Sequence, residues 1–117
     1  MLKPYFNAFR YAFSGIASFI KTERNAKVHL AATIIVCALG AYVGLESPEW
    51  LWVASAITLV IVAEMINSAI ERLCNRITTD QDPEIKIIKD VSAGFVLLTS
   101  FYAVIIAAII FTPYLFN

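Results

Sequence analysis

Charge is scarce in this sequence. Asp, Glu, Lys and Arg make up 15% of its 117 residues, against roughly 25% in an ordinary soluble domain. Histidine occurs once, cysteine twice, and glycine and proline four times each. Each shortage narrows the chemistry. With a single histidine, His29, no Ser/His/Asp or Cys/His arrangement is visible, and a metal-ligand role for it is not the expectation. Cys37 and Cys74 lack metal-ligand spacing and lie in or beside apolar runs, where they read as small apolar fillers. The glycines form neither a GxxxxGK[ST] loop nor a dinucleotide fingerprint, so a nucleotide site here would have another design. The basic residues are too few and too close to apolar runs for nucleic-acid binding.

What the chain has instead is apolar length. Hydrophobic residues make up 60% of it, against roughly 45–50% in soluble domains. Residues 28–45 and 91–116 carry no Asp, Glu, Lys or Arg, and 50–70 is interrupted only by a polar stripe. Each run reaches, or nearly reaches, the ~20 residues that cross a bilayer. The expected fold is an all-α membrane protein, one domain over 1–117, with spans at about 28–45, 49–72 and 90–114. Residues 4–22 add an amphipathic helix: Phe6, Phe9, Phe13, Ile16 and Ile20 recur at three- to four-residue spacing, opposite Lys3, Asn7, Arg10, Ser14 and Lys21. Beside a span, such a helix is expected to lie on the membrane surface.

The basic residues fix a direction. Lys3, Arg10, Lys21, Arg24 and Lys27 precede the first span, and Arg72, Arg76, Lys86 and Lys89 lie between the second and third. The other two ends have none. By the positive-inside rule the N-terminus and the second connection are cytoplasmic, and the first connection and C-terminus are outside. Residues 1–27 carry charge throughout and lack an apolar h-region, so no cleaved leader is expected. Gly40 and Gly44 form a GxxxG pair that permits close helix contact. Ser47-Pro48-Glu49 reads as a helix start with Ser47 as cap, and Trp50 and Trp52 suit the outer interface. The stretch 75–86 reads as a polar loop, with Asp90 near the next helix start.

The polar stripe carries the chemistry. Glu64, Asn67 and Glu71 fall within roughly 60° of one helix face, and Asn75 follows near the same line. Acids within an apolar span are costly and usually mark a site for ions, protons or substrate. Glu71 is roughly 10 Å along the axis from Glu64, which favours a division of labour over one shared ion. Glu23, Glu64, Glu71 and Asp90, with Asn67 and Lys89, are expected to converge at the cytoplasmic end. Carboxylates suit Mg²⁺, which takes one or two protein oxygens plus substrate phosphates, and a lysine can contact phosphate. The set suggests phosphoryl transfer between a cytoplasmic donor and a bilayer acceptor. Two other readings use the same stripe: an ion- or proton-coupled carrier, and a structural seam between helices.

The run E-M-I-N-S-A-I-E at 64–71, with K-D-V-S-A-G at 89–94 and Gly15 and Glu23 upstream, resembles the small bacterial integral-membrane diacylglycerol kinases, a family that includes undecaprenol kinases. The resemblance covers nearly the whole chain. It implies a homotrimer in the bacterial inner membrane, with sites between subunits at the cytoplasmic interface. It also implies transfer of the γ-phosphoryl group of ATP, with Mg²⁺, to a membrane lipid hydroxyl. Diacylglycerol, giving phosphatidate, is the first expected acceptor, and undecaprenol the alternative, with which the short N-terminus and the TERNAKVHL entry agree. By position, Glu64 would be the general base and Glu23 and Glu71 the metal ligands. Asn67, Lys89, Asp90 and Asn75 would shape the nucleotide and phosphate site, and Tyr11 would contact the nucleoside. Asn75 stands where the family often has Asp, which removes one negative charge there.

Overall fold

The computed structural model describes residues 1–116, and they form four helices: α1 (Lys3–Thr22), α2 (Arg24–Val43), α3 (Ser47–Ile77) and α4 (Pro83–Leu115). α2, α3 and α4 are each long and apolar enough to cross a membrane. At 1.5 Å per residue, α3 and α4 are roughly 45–50 Å long, well over the ~30 Å of a hydrocarbon core. Their surplus length carries charge at the end where all the basic residues collect, here called the basic end.

Local chemistry sets the boundaries. Glu23 alone separates α1 from α2, with extended backbone at φ −97° and ψ 125°. α2 stops at Gly44, which takes φ +77° and donates its N–H to Gly40 O at 3.0 Å. Only glycine adopts that left-handed turn without strain. α3 is capped by Glu46 rather than Ser47: the Glu46 N–H donates to Glu49 Oε1 at 3.0 Å, and Ser47-Pro48 already lie inside the first turn. The second connection is residues 78–82, shorter than the loop the sequence suggests. Asp82 Oδ1 accepts from the N–H groups of Glu84 and Ile85, so α4 starts at Pro83 and Asp90 lies two turns inside it rather than at its cap. Pro113 sits within the last turn of α4, which runs on to Leu115.

Packing divides the bundle into two halves. Away from the basic end, Leu45, Val53, Ile110 and Phe111 form a buried cluster, backed by Val36, Leu39, Trp50 and Ile106. Here Gly40 does the work the GxxxG pair suggests, while Gly44 serves as the helix stop. A Cβ at Gly40 would lie 2.7 Å from Trp50 Cη2 and 2.9 Å from Leu45 Cδ1. Gly40→Ala is therefore expected to destabilise by about 1–3 kcal/mol through overpacking. Thermal unfolding in detergent would show it as a lowered midpoint, and an unchanged midpoint would mean that the corner yields freely. Mid-span, Ser55 Oγ and Tyr102 Oη lie 3.1 Å apart and join α3 to α4. The apolar outer faces of all three long helices, including Ile34, Leu59 and Leu98, are exposed on the single chain. α1 buries no residue and packs mainly beside α2, with Phe6, Phe9 and Phe13 exposed.

Candidate functional site: a buried carboxylate at the basic end

Toward the basic end, polar pairs replace the apolar core. Glu64 is 4% exposed, the most buried acid in the bundle. Its Oε1 accepts from Asn25 Nδ2 at 3.1 Å, and its Oε2 lies 3.5 Å from His29 Nε2. Both partners come from α2, four residues apart on one face. Trp50 and Trp52 lie at the opposite end of α3, so Glu64 sits roughly 20 Å along the helix from Trp50 and Glu71 roughly 30 Å. A ~30 Å core that begins near Trp50 therefore contains Glu64 and ends near Glu71.

One turn beyond Glu64, Asn67 Oδ1 accepts from Ser92 Oγ at 2.8 Å, and Ser92 is 1% exposed. This bond holds α3 against α4. Ser92→Ala would leave the Asn67 oxygen without its donor and is expected to cost about 1–3 kcal/mol. Chemical denaturation would register the loss, and a neutral result would mean that the oxygen finds another donor.

The remaining residues are spread around the same end. Glu71 is exposed and has no hydrogen-bond partner among the described residues. Its neighbour Arg72 reaches the α1–α2 junction, donating Nη2 to Thr22 Oγ1 at 2.6 Å and Nε to Glu23 Oε1 at 3.4 Å. Lys89 Nζ donates to Asn75 Oδ1 at 2.7 Å. Asp90 pairs with Lys86 of its own helix at 2.6 Å. Tyr11 stands exposed on α1 with the Arg10 guanidinium carbon 5.9 Å from its ring centroid. The expected convergence is thus incomplete. Glu64 has its partners on α2, and Asp90 is occupied within α4. Among the described residues no three His, Cys, Asp or Glu side chains group as a metal centre.

Carboxylates of the kind that Mg²⁺ takes are nonetheless present at this end. Glu71 has no hydrogen bond among the described residues, and its sequence neighbour Arg72 holds Glu23 at 3.4 Å. Two hard oxygen ligands suffice for a cation that completes its shell with water and substrate phosphates.

Two cavities flank this arrangement. One, of about 240 Å³, runs between α2, α3 and α4 from His29 and Thr33 through Ala56, Val60 and Ala103 to Phe111, with almost wholly apolar walls. The other, of about 590 Å³, lies at the second connection, lined by Asp80, Asp82, Lys86, Lys89 and Asp90 among others. The apolar cleft reaches His29, the neighbour of the buried acid, and the polar hollow carries three aspartates with two lysines.

Asn25, His29, Arg72 and Ser92 escaped the sequence reading as site residues. The signal for the first two was the spacing N-x-x-x-H in RNAKVH, which puts an amide and an imidazole on one face of the first span.

Comparison with known proteins shows the family. The chain is 35% identical to an undecaprenol kinase of Bacillus subtilis over 112 residues, covering 96% of this chain and 91% of that protein. It is 31% identical to a diacylglycerol kinase of Synechocystis over 107 residues, covering 91% of this chain and 61% of that longer protein. The family model described as prokaryotic diacylglycerol kinase matches residues 10–111, a stretch that holds Tyr11, Glu23, Glu64, Glu71, Lys89 and Asp90, and the chain belongs to that family.

Proposed function

We propose that this chain is an ATP- and Mg²⁺-dependent kinase of a membrane lipid alcohol, acting as a homotrimer in the bacterial cytoplasmic membrane. Its N-terminus and second connection face the cytoplasm, its C-terminus lies outside, and α1 rests on the cytoplasmic surface. The observation that carries the reading is Glu64: a carboxylate 4% exposed, on a helix long and apolar enough to cross a membrane, and 3.5 Å from His29 at the end of an apolar cleft.

The lipid keeps its chain among the helices and presents its hydroxyl at the depth of Glu64. Glu64 takes the hydroxyl proton as the oxygen attacks the γ-phosphorus, while the bond from that phosphorus to the bridging oxygen breaks. Mg²⁺, when bound, neutralises triphosphate charge. Glu23 and Glu71 hold it, and Lys89 and Asn67 orient the phosphates. Asn75, Asp90 and Tyr11 complete the nucleotide site. Such transfer needs positioning and charge balance more than covalent help.

Diacylglycerol and undecaprenol remain the two acceptors. The near-full-length similarity to an undecaprenol kinase favours undecaprenol. The test is ATP-dependent label transfer by the purified protein, with each lipid supplied separately in the same micelles. Labelled phosphatidate or undecaprenyl phosphate is the expected product. No transfer to either, from folded protein with Mg²⁺ present, would overturn the reading.

A further inference from the structure

Glu64 is held from one side by a helix that the stripe on α3 does not include. Asn25 and His29 both project from α2 toward it, and the next residue on that face, Thr33, lines the apolar cleft together with His29. The two carboxylate oxygens are thereby made different. Oε1 is engaged by the Asn25 amide, a donor with no basic site of its own. Oε2 faces His29, which borders the cleft where an acceptor chain would lie. The 3.5 Å approach is long for a hydrogen bond, as such contacts often are before substrate binds.

We infer that Asn25 and His29 are positioning residues for the base: Asn25 anchors Oε1, and His29 turns Oε2 toward the acceptor hydroxyl at the mouth of the cleft. The inference rests on the lipid kinase reading. In the reaction the lipid O–H proton moves to Glu64 Oε2, the lipid oxygen bonds to the γ-phosphorus, and the electron pair of the breaking P–O bond leaves with the β-phosphate oxygen. Asn25 keeps the proton off Oε1. His29 acts through the ε-protonated tautomer, donating to the carboxylate before the transfer, and touches neither phosphate nor metal. Two donors on one carboxylate fix both its rotation and its reach, and a small misplacement of a base is costly in rate.

The test is a double-mutant cycle in the lipid phosphorylation assay. His29→Ala and Asn25→Ala are each expected to lower kcat roughly ten- to hundredfold, the size associated with losing a hydrogen bond to a charged group. KM for ATP and for lipid should stay within about threefold, because the loss falls on transition-state interactions rather than uniform binding. His29→Gln, which retains a donor of similar reach, should recover part of the rate. On a Glu64→Asp background, whose shorter side chain withdraws from α2, His29→Ala should cost less than about threefold, since residues that act through one another are not additive. An equal loss in both backgrounds, or a change confined to lipid KM, would overturn the inference and make His29 a wall of the cleft. Should His29→Ala fail to fold, Asn25→Ala and His29→Gln complete the same cycle. A wild-type protein that phosphorylates no lipid would instead overturn the kinase reading itself.

Discussion

Glu64→Gln should lower lipid phosphorylation by at least about a hundredfold, and up to ten thousandfold, while ATP binding survives. That is the range attributed to general-base catalysis, and it corresponds to about 3–5 kcal/mol of lost transition-state stabilisation. The substitution is close to isosteric, so the buried position between α2 and α3 keeps its volume. A glutamine oxygen can still accept from Asn25, so the helices should hold together. What the amide cannot do is take a proton. Turnover should therefore fall at saturating ATP and saturating lipid alike, with nucleotide affinity near its starting value. Single-turnover transfer and equilibrium nucleotide binding, measured on the same preparation, separate the two. Near-normal turnover would remove Glu64 from the role of base and return it to the seam between helices.

Glu71→Gln should act on the other half of the reaction. Glu71 is exposed and free of hydrogen bonds among the described residues, so its replacement breaks no native contact. Stability should stay within about 0.5 kcal/mol, as for most surface changes. Yet the Mg²⁺ concentration needed for half-maximal rate should rise roughly tenfold, and ATP affinity should weaken with it, because a formal charge is lost from the proposed two-carboxylate cation site. KM for the lipid should not move. A magnesium titration at fixed ATP checks this directly. An unshifted curve would exclude Glu71 from the metal and leave Glu23 to be tested by the same titration. The contrast between the two variants is informative: the buried acid should change rate without affinity, and the exposed acid affinity before rate.

The long helices were legible because apolar length and charge scarcity are properties of the chain alone. Residues 28–45, 50–70 and 91–116 each fall within one of the three long helices, or overrun it by a residue or two at the ends. The helix ends were less so. Asp82 and Glu46 take the capping roles because caps depend on where the first turn closes, and Asp82 had read as part of a loop. Of the site, the stripe on α3 was visible because one helix carries it and its spacing is fixed by the helical repeat. Asn25 and His29 were not, because nothing in the order of residues says which face of α2 meets α3. Asn67 illustrates the same limit. Its place on the stripe is plain from spacing, but its bond to Ser92 depends on how two helices rotate against each other. Asp90 was read as lying near a helix start and converging on the site, and the i,i+4 spacing to Lys86 that occupies it was present in the sequence.

The single residue between α1 and α2 has a consequence for hydrogen exchange. α1 buries no side chain, and beyond its neighbour α2 it is tied to the bundle by the Arg72 bonds at its last turn. Most of a helix's stability in a protein comes from what its amphipathic face packs against rather than from propensity. The amides of α1 should therefore owe their protection to the membrane interface on which the helix is proposed to rest. In bilayers they should exchange slowly, and in small micelles that leave the phenylalanine face poorly covered they should exchange much faster than those of α3. The first twenty-two residues would then behave as a cooperative unit of their own, opening and closing on the edge of the bundle without disturbing the carboxylate buried between α2 and α3.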